Sequence, residues 1–238
     1  MAGHSKWKQI KHKKALLDSK RGKLFTKLIK EITVAARMGG GDPSGNARLR
    51  FLLEKAKTIN MPQENYTRAI KKGTGELPGV QYEAYTYEGY GPGNTAVVVD
   101  VLTDNKNKAI AELRHAFSRN NGRIAEAGAV SWMFEKLGVI QAQNTKLTED
   151  ELLEILLDYD IKDIKLNENI FEISSDARSL EEVKTALTQV GLKVQEAELE
   201  WVPKTTVELN GEQEEKAHSF LEALEDLEDV QNVYTNLD

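Results

Sequence analysis

From Lys23 onward, Leu24, Leu28, Ile32 and Ala35 recur at intervals of three and four, and Phe25, Ile29 and Ala36 widen the stripe. This spacing predicts an amphipathic helix that the Gly39-Gly40-Gly41 run ends. Asp42 and Pro43 make an N-cap and first-turn pair for a second helix with Leu49, Leu52, Leu53 and Ala56 on one side. A third is predicted from Pro62, burying Tyr66, Ala69 and Ile70 and stopping at Gly73. Three short helices with short breaks predict a small bundle, and Gly73, Gly75, Pro78 and Gly79 read as a linker.

After the linker the period changes. Strands are predicted at Gln81 to Tyr87 and Ala96 to Leu102, the second carrying the buried run Val97-Val98-Val99. A helix from Lys106 to Arg119 turns Ile110, Leu113 and Phe117 inward, and a strand near Val130 to Phe134 follows. The next stretch reads as a unit of its own. Val139 to Ala142 is a strand, and Thr148 with Glu151 is a capping box opening a helix. Ile161 to Leu166 and Ile170 to Ser174 are strands around an Asn turn; Ser179 with Glu182 is a second capping box, its helix stops at Gly191, and Val194 to Val202 closes the unit. That order is βαββαβ, the ferredoxin-like pattern.

One helix, with Ala217, Phe220, Leu221 and Leu224 inward, and one strand, Val230 to Thr235, remain at the end. Two elements cannot form a domain alone, whereas residues 80–135 offer only ββαβ and lack a second helix. The simplest architecture is therefore α+β: an N-terminal three-helix domain (1–78, with a mobile arm at 1–21) followed by two α/β, ferredoxin-like domains, the third inserted into the second. The expected boundaries are 79–135 plus 204–238 for the middle domain and 136–203 for the insert.

Composition narrows the class. Of 238 residues, 40% are apolar and 29% charged, which is globular. No apolar run reaches the length of a membrane span, and MAGHSKWK lacks a secretory hydrophobic stretch, so a cytoplasmic location is expected. With no cysteine, disulfides and thiolate zinc sites are excluded, and His4, His12, His115 and His218 show no ligand spacing. No cofactor or metal is expected.

The net charge of -6 conceals a partition: residues 1–75 hold 18 Lys and Arg against 5 Asp and Glu, residues 76–134 hold 5 against 7, and residues 135–238 hold 9 against 26. A basic end on an acidic chain points to nucleic acid as the partner. Lys23, Lys27, Lys30 and Arg37 fall on one narrow stripe, opposite Leu24, Leu28 and Ile32, at about 100° per residue. A line of cations on the solvent side of a helix suits a phosphate backbone, although Lys and Arg are also ordinary solvent-side residues. The arm adds Lys6, Lys8, Lys11, Lys13, Lys14, Lys20 and Arg21, with Trp7 either stacking on a base or packing on the bundle. Arg48, Arg50, Lys55 and Lys57 extend the basic surface over the second helix. Lys71 and Lys72 either join that surface or offset the dipole of the third helix.

Other candidates for chemistry have plainer readings. Gly89-Tyr90-Gly91-Pro92-Gly93 is followed by a strand where a phosphate loop needs a helix, so it reads as a tight turn. His115 and Ser118 lack a third orienting group, and the acids Glu222, Glu225, Asp226, Glu228 and Asp229 lack the ligand order of a calcium loop. Within the basic segment Asp18, Glu31, Asp42, Glu54 and Glu64 form no metal-binding cluster, which weighs against a nucleic-acid-processing enzyme.

MAGHSKW (1–7), KRGKLFTKL (20–28), GGGDPSGNARLR (39–50), NMP (60–62), AIKKGTGE (69–76), YEGYGPG (87–93) and TDN (103–105) resemble the YebC/PmpR family over nearly the whole chain. The resemblance implies a helical domain followed by two α/β domains and a non-enzymatic, DNA-binding transcriptional regulator. Relatives in bacteria and mitochondria are also connected with translation, which implies an alternative: a ribosome-associated factor on rRNA or tRNA, whose acidic domains contact protein. The chain departs from the family pattern at Asn94, Asn121 and Ala125, where glycine is usual, and at Ala129, where serine is.

Overall fold

The computed structural model describes residues 18–143, 147–167 and 169–238, and they fall into two compact units: residues up to Ser131 together with Thr205–Asp238, and the inserted Trp132–Lys204. In the first unit, helices α1 (Asp18–Gly39), α2 (Ala47–Thr58) and α3 (Gln63–Gly73) form the bundle. Its core is Leu28, Ile32, Ala35, Leu49, Leu52, Ala56, Met61 and Ala69, all but Met61 on the inward stripes expected from the spacing. Helix α1 begins six residues before Leu24, the first residue of the apolar stripe, so residues 18–21 are helical and not part of an arm. Lys20, Arg21 and Lys23 are straight-chain helix formers that carry the helix past its last core contact.

The second helix starts later than Asp42-Pro43 implied. Asp42 instead closes a turn, its carboxylate accepting from the Ser44 amide and hydroxyl at 2.9 and 2.7 Å. The cap is Asn46, buried, whose Oδ1 accepts from the Leu49 amide at 3.0 Å. Its Nδ2 donates to the Ala35 and Gly40 carbonyls at 2.8 and 2.9 Å, so one side chain closes the end of α1 and the start of α2.

Beyond the linker, β1 (Glu83–Tyr90) and β2 (Ala96–Thr103) form a hairpin, followed by α4 (Lys106–Arg119) and β3 (Arg123–Ala125). After the insert, α7 (Glu212–Glu225) and β8 (Val230–Thr235) return to complete an antiparallel sheet of order β3-β1-β2-β8. Helices α4 and α7 cover it through Val97, Val99, Val101, Leu113, Phe117, Phe220, Leu221 and Leu224, with Phe117 and Phe220 edge to face at 4.9 Å.

The strand expected near Val130 to Phe134 is not there. Residues 126–131 instead wrap around the buried carboxylate of Glu88 on β1, which accepts from the Gly128, Val130 and Ser131 amides at 2.8, 2.7 and 2.8 Å. The Val130 amide, engaged there, is lost to a ladder. The sheet takes the three-residue β3 in its place.

The insert is one four-stranded antiparallel sheet of β4 (Phe134–Gln143), β5 (Ile161–Asn167), β6 (Ile170–Asp176) and β7 (Lys193–Pro203), with α5 (Glu149–Ile155) and α6 (Leu180–Gln189). Its order β5-β6-β4-β7 is that of the ferredoxin-like pattern. The core gathers Ile140, Leu152, Leu156, Phe171, Ile173, Val183 and Leu187. The Thr148–Glu151 capping box forms, with both reciprocal bonds. The Ser179–Glu182 box does not, because Ser179 is itself in a helical conformation, its amide bonded to the Asp176 carbonyl at 3.0 Å, and its side chain caps nothing.

Candidate nucleic-acid interface

Helix α1 is buried on two sides. Leu28, Ile32 and Ala35 face α2 and α3, while the stripe of cations meets the corner where α7 ends and β8 begins. Lys23 pairs with Asp226 at 3.2 Å, both about half exposed. Lys27 Nζ donates to the Glu225 carbonyl at 2.8 Å. Lys30, only 4% exposed, donates to the Glu228 carbonyl at 3.1 Å and to the carboxylate of Asp229, itself 5% exposed. Arg37 donates to the Tyr82 carbonyl at 2.9 Å, and the Lys30 ammonium lies 5.8 Å from the Tyr82 ring centroid.

The solvent side assigned to this stripe is thus wrong for Lys30, and Lys23 and Lys27 are engaged with the same corner, while Arg37 stays exposed on the Tyr82 carbonyl. The reason lies in α7. That helix ends with Glu222, Glu225 and Asp226 and has no basic residue in its last turn, so its C-terminal dipole has no cation of its own. Lys27 supplies one at the Glu225 carbonyl, and Lys30 bonds the Glu228 carbonyl just beyond, both from nearly two hundred residues away. Asp229 is held further by the Thr103 hydroxyl at 2.9 Å, and its carbonyl accepts from the Leu102 amide at 2.8 Å. Burial, then the charges of Asp104, Asp229 and Glu228, raise the Tyr82 phenol above its ordinary range.

The other candidates scatter. Lys6, Trp7, Lys8, Lys11, Lys13 and Lys14 lie outside the described residues, and Lys20 falls in the first turn of α1. Arg21 is exposed next to it. Arg50 folds back onto the Pro43 carbonyl at 3.1 Å, bracing the loop before α2. Lys55 is half-buried, while Arg48 and Lys57 are exposed on opposite flanks of α2, nine residues apart. Lys71 and Lys72 are exposed in the last turn of α3. Arg68, exposed one turn earlier on the same helix, was absent from the sequence candidates; its phase opposite the Tyr66 and Ala69 side was the available signal.

Two family models match. Residues 5–76 match the TACO1/YebC protein N-terminal domain and residues 82–237 match the TACO1/YebC second and third domain. The chain belongs to the TACO1/YebC family. A probable transcriptional regulatory protein of Desulfosudis oleivorans is 51% identical over 236 residues, covering 99% of this chain and 96% of that one. Another, from Chlorobaculum tepidum, is 48% identical over 239 residues, covering 100% and 95%. The crystal structure of a conserved hypothetical protein from Aquifex aeolicus superposes with a TM-score of 0.86 at 46% identity, covering 98% of this chain and 97% of that one.

In this TACO1/YebC protein the departures at Asn94 and Asn121 have a local explanation. Both residues have φ of 58°, the left-handed region that glycine enters freely and asparagine tolerates best among the rest. Among the described residues, no group of three or more His, Asp or Glu is placed to hold a metal ion, and no helix is long and apolar enough to cross a membrane.

Proposed function

We propose that this chain is a non-enzymatic, DNA-binding transcriptional regulator of the cytoplasm, gripping the phosphate backbone with its basic N-terminal segment. The observation that carries this reading is the charge partition: 18 cations against 5 acids in residues 1–75, set against 14 and 33 in the remaining chain. The regulatory role follows from the names of its relatives. The acidic domains repel phosphate and are free for protein contacts.

The test uses the full chain, because cutting it near residue 75 would expose the buried Lys30 and Asp229 together. Binding of duplex DNA at rising salt should give a linear fall of log affinity against log concentration, about 0.9 per neutralised phosphate. Failure to bind duplex DNA, together with co-sedimentation with ribosomes, would replace transcription by translation as the process served.

A further inference from the structure

Resting on the proposed function, we infer that the described part of the bundle meets nucleic-acid phosphates through the outer face of α3, at Arg68, Lys71 and Lys72, and not through the cation stripe of α1. Three observations lead there. The first is the occupation of the stripe: Lys27 is bonded to the Glu225 carbonyl at the end of α7 and Lys30 to the Glu228 carbonyl just beyond it, Lys30 is buried on Asp229, and Arg37 holds the Tyr82 carbonyl. A phosphate could reach Lys30 only by displacing the middle domain from α1, and would have to compete with these protein acceptors for Lys27 and Arg37.

The second is helical phase. Arg68, Lys71 and Lys72 stand at i, i+3 and i+4, so their side chains share one face, and it is opposite the side carrying Tyr66 and Ala69. All three are exposed, and none has an ion-pair or hydrogen-bond partner on its side chain among the described residues. Arg48 and Lys57, the comparable exposed cations of α2, point to opposite flanks and cannot contact one backbone together.

The third is the held geometry of this face. The Leu77 amide returns to the Lys71 carbonyl at 3.1 Å, and Gly79 lies so close that a Cβ there would stand 3.1 Å from the Lys72 Cβ. The chain after α3 thus packs on the lysine stem and leaves the ammonium in water, fixing part of the side chain before any ligand arrives. Dipole compensation accounts for Lys71 and Lys72 in the last turn, but not for Arg68, which stands a turn earlier.

The experiment measures full-chain affinity for a duplex DNA and for a folded RNA across a salt series, with Arg68→Gln/Lys71→Gln/Lys72→Gln, Arg68→Gln alone and Lys23→Gln. Glutamine keeps helix propensity, and Arg68→Gln alone leaves the last turn untouched should the triple variant unfold. Loss of three phosphate contacts should flatten the salt slope on the duplex by about 2.7, loss of Arg68 alone by about 0.9, and Lys23→Gln should leave it unchanged. Flattening on either ligand supports the surface and names its source of phosphate. Unchanged slopes for the α3 variants, or flattening by Lys23→Gln alone, overturn it. An unaltered chain that binds neither ligand ends the nucleic-acid reading itself, and this surface with it.

Discussion

Lys30 of α1 and Asp229 ahead of β8, 199 positions apart in the chain, form a buried ion pair that joins the helical bundle to the α/β sheet behind it. Such pairs do not add stability by default, because removing two charges from water costs several kcal/mol per ion. What they do impose is a penalty for losing one partner.

Lys30→Ala should therefore destabilise the chain by roughly 3–5 kcal/mol, since Asp229 would keep only the Thr103 hydroxyl against its buried charge. The double variant Lys30→Met/Asp229→Leu should recover most of that loss. Urea unfolding of both variants checks the pair. A double variant as unstable as the single one would show that the charges themselves hold the bundle in place.

Glu88 gives the fold a pH dependence of defined sign. Burial pushes its carboxyl up, but the bonds from the Gly128, Val130 and Ser131 amides and the Ser131 side chain outweigh it and leave the group below its ordinary value. A depressed folded value means the contribution to stability is present above the unfolded value, about 4.3, and is lost as pH falls through the folded one. Glu88→Gln removes that dependence and turns an amide donor toward backbone donors, at a cost of about 1–3 kcal/mol near neutral pH. The unfolding free energies of the two proteins should differ most near pH 7, and the gap should narrow as pH falls below the unfolded carboxyl value of about 4.3.

Much of this architecture was legible in the chain. Helix α4 was readable from about Lys106 to Arg119, because Leu113 and Phe117 recur at core spacing and Asn105 caps the start. The return of α7 and β8 to the middle domain followed from counting elements: a ββαβ stretch needed a second helix and an αβ tail needed a sheet. The cation stripe was legible as a stripe and misleading as a surface. Periodicity separates polar from apolar sides of a helix, but a polar side looks the same whether water or an acidic corner lies against it. Lys30 needed knowledge of Asp229, which no local window contains. The same limit hid β3, three residues long, and the loop around Glu88, whose amides are organised by a residue some forty positions earlier.

Gly89 should tolerate no side chain. A Cβ at this position of β1 would collide with the Phe117 ring and stand 2.6 Å from the Arg123 carbonyl oxygen, so both the packing of α4 and the β1–β3 pairing would have to give way. Gly89→Ala should cost about 1–3 kcal/mol or more, the range for overpacking a filled core. Gly128→Ala is the contrasting control: φ is +87° there with open space around it, so its cost is backbone strain without a clash. Thermal unfolding should place Gly89→Ala well below the unaltered chain and below Gly128→Ala.

The last expectation concerns specificity. Arg68, Lys71 and Lys72 on the outside of α3 are suited to phosphate oxygens, and phosphate contacts position a protein on its ligand without reading sequence. Reading sequence requires side chains at base edges in a groove, or a duplex deformed at sequence-dependent cost. Three flexible cations on one helix face do neither by themselves. The full chain should therefore prefer a regulated promoter fragment over unrelated duplex of equal length by a ratio on the order of 10–100, below the range usual for dedicated repressors. Folded RNA should compete with both, since it offers the same phosphates on a different helical form. Competition binding at physiological salt measures all three in one series. A promoter preference above about 10³ would show base reading or deformation by parts of the chain outside α3; RNA outcompeting every duplex would make translation the process this protein serves.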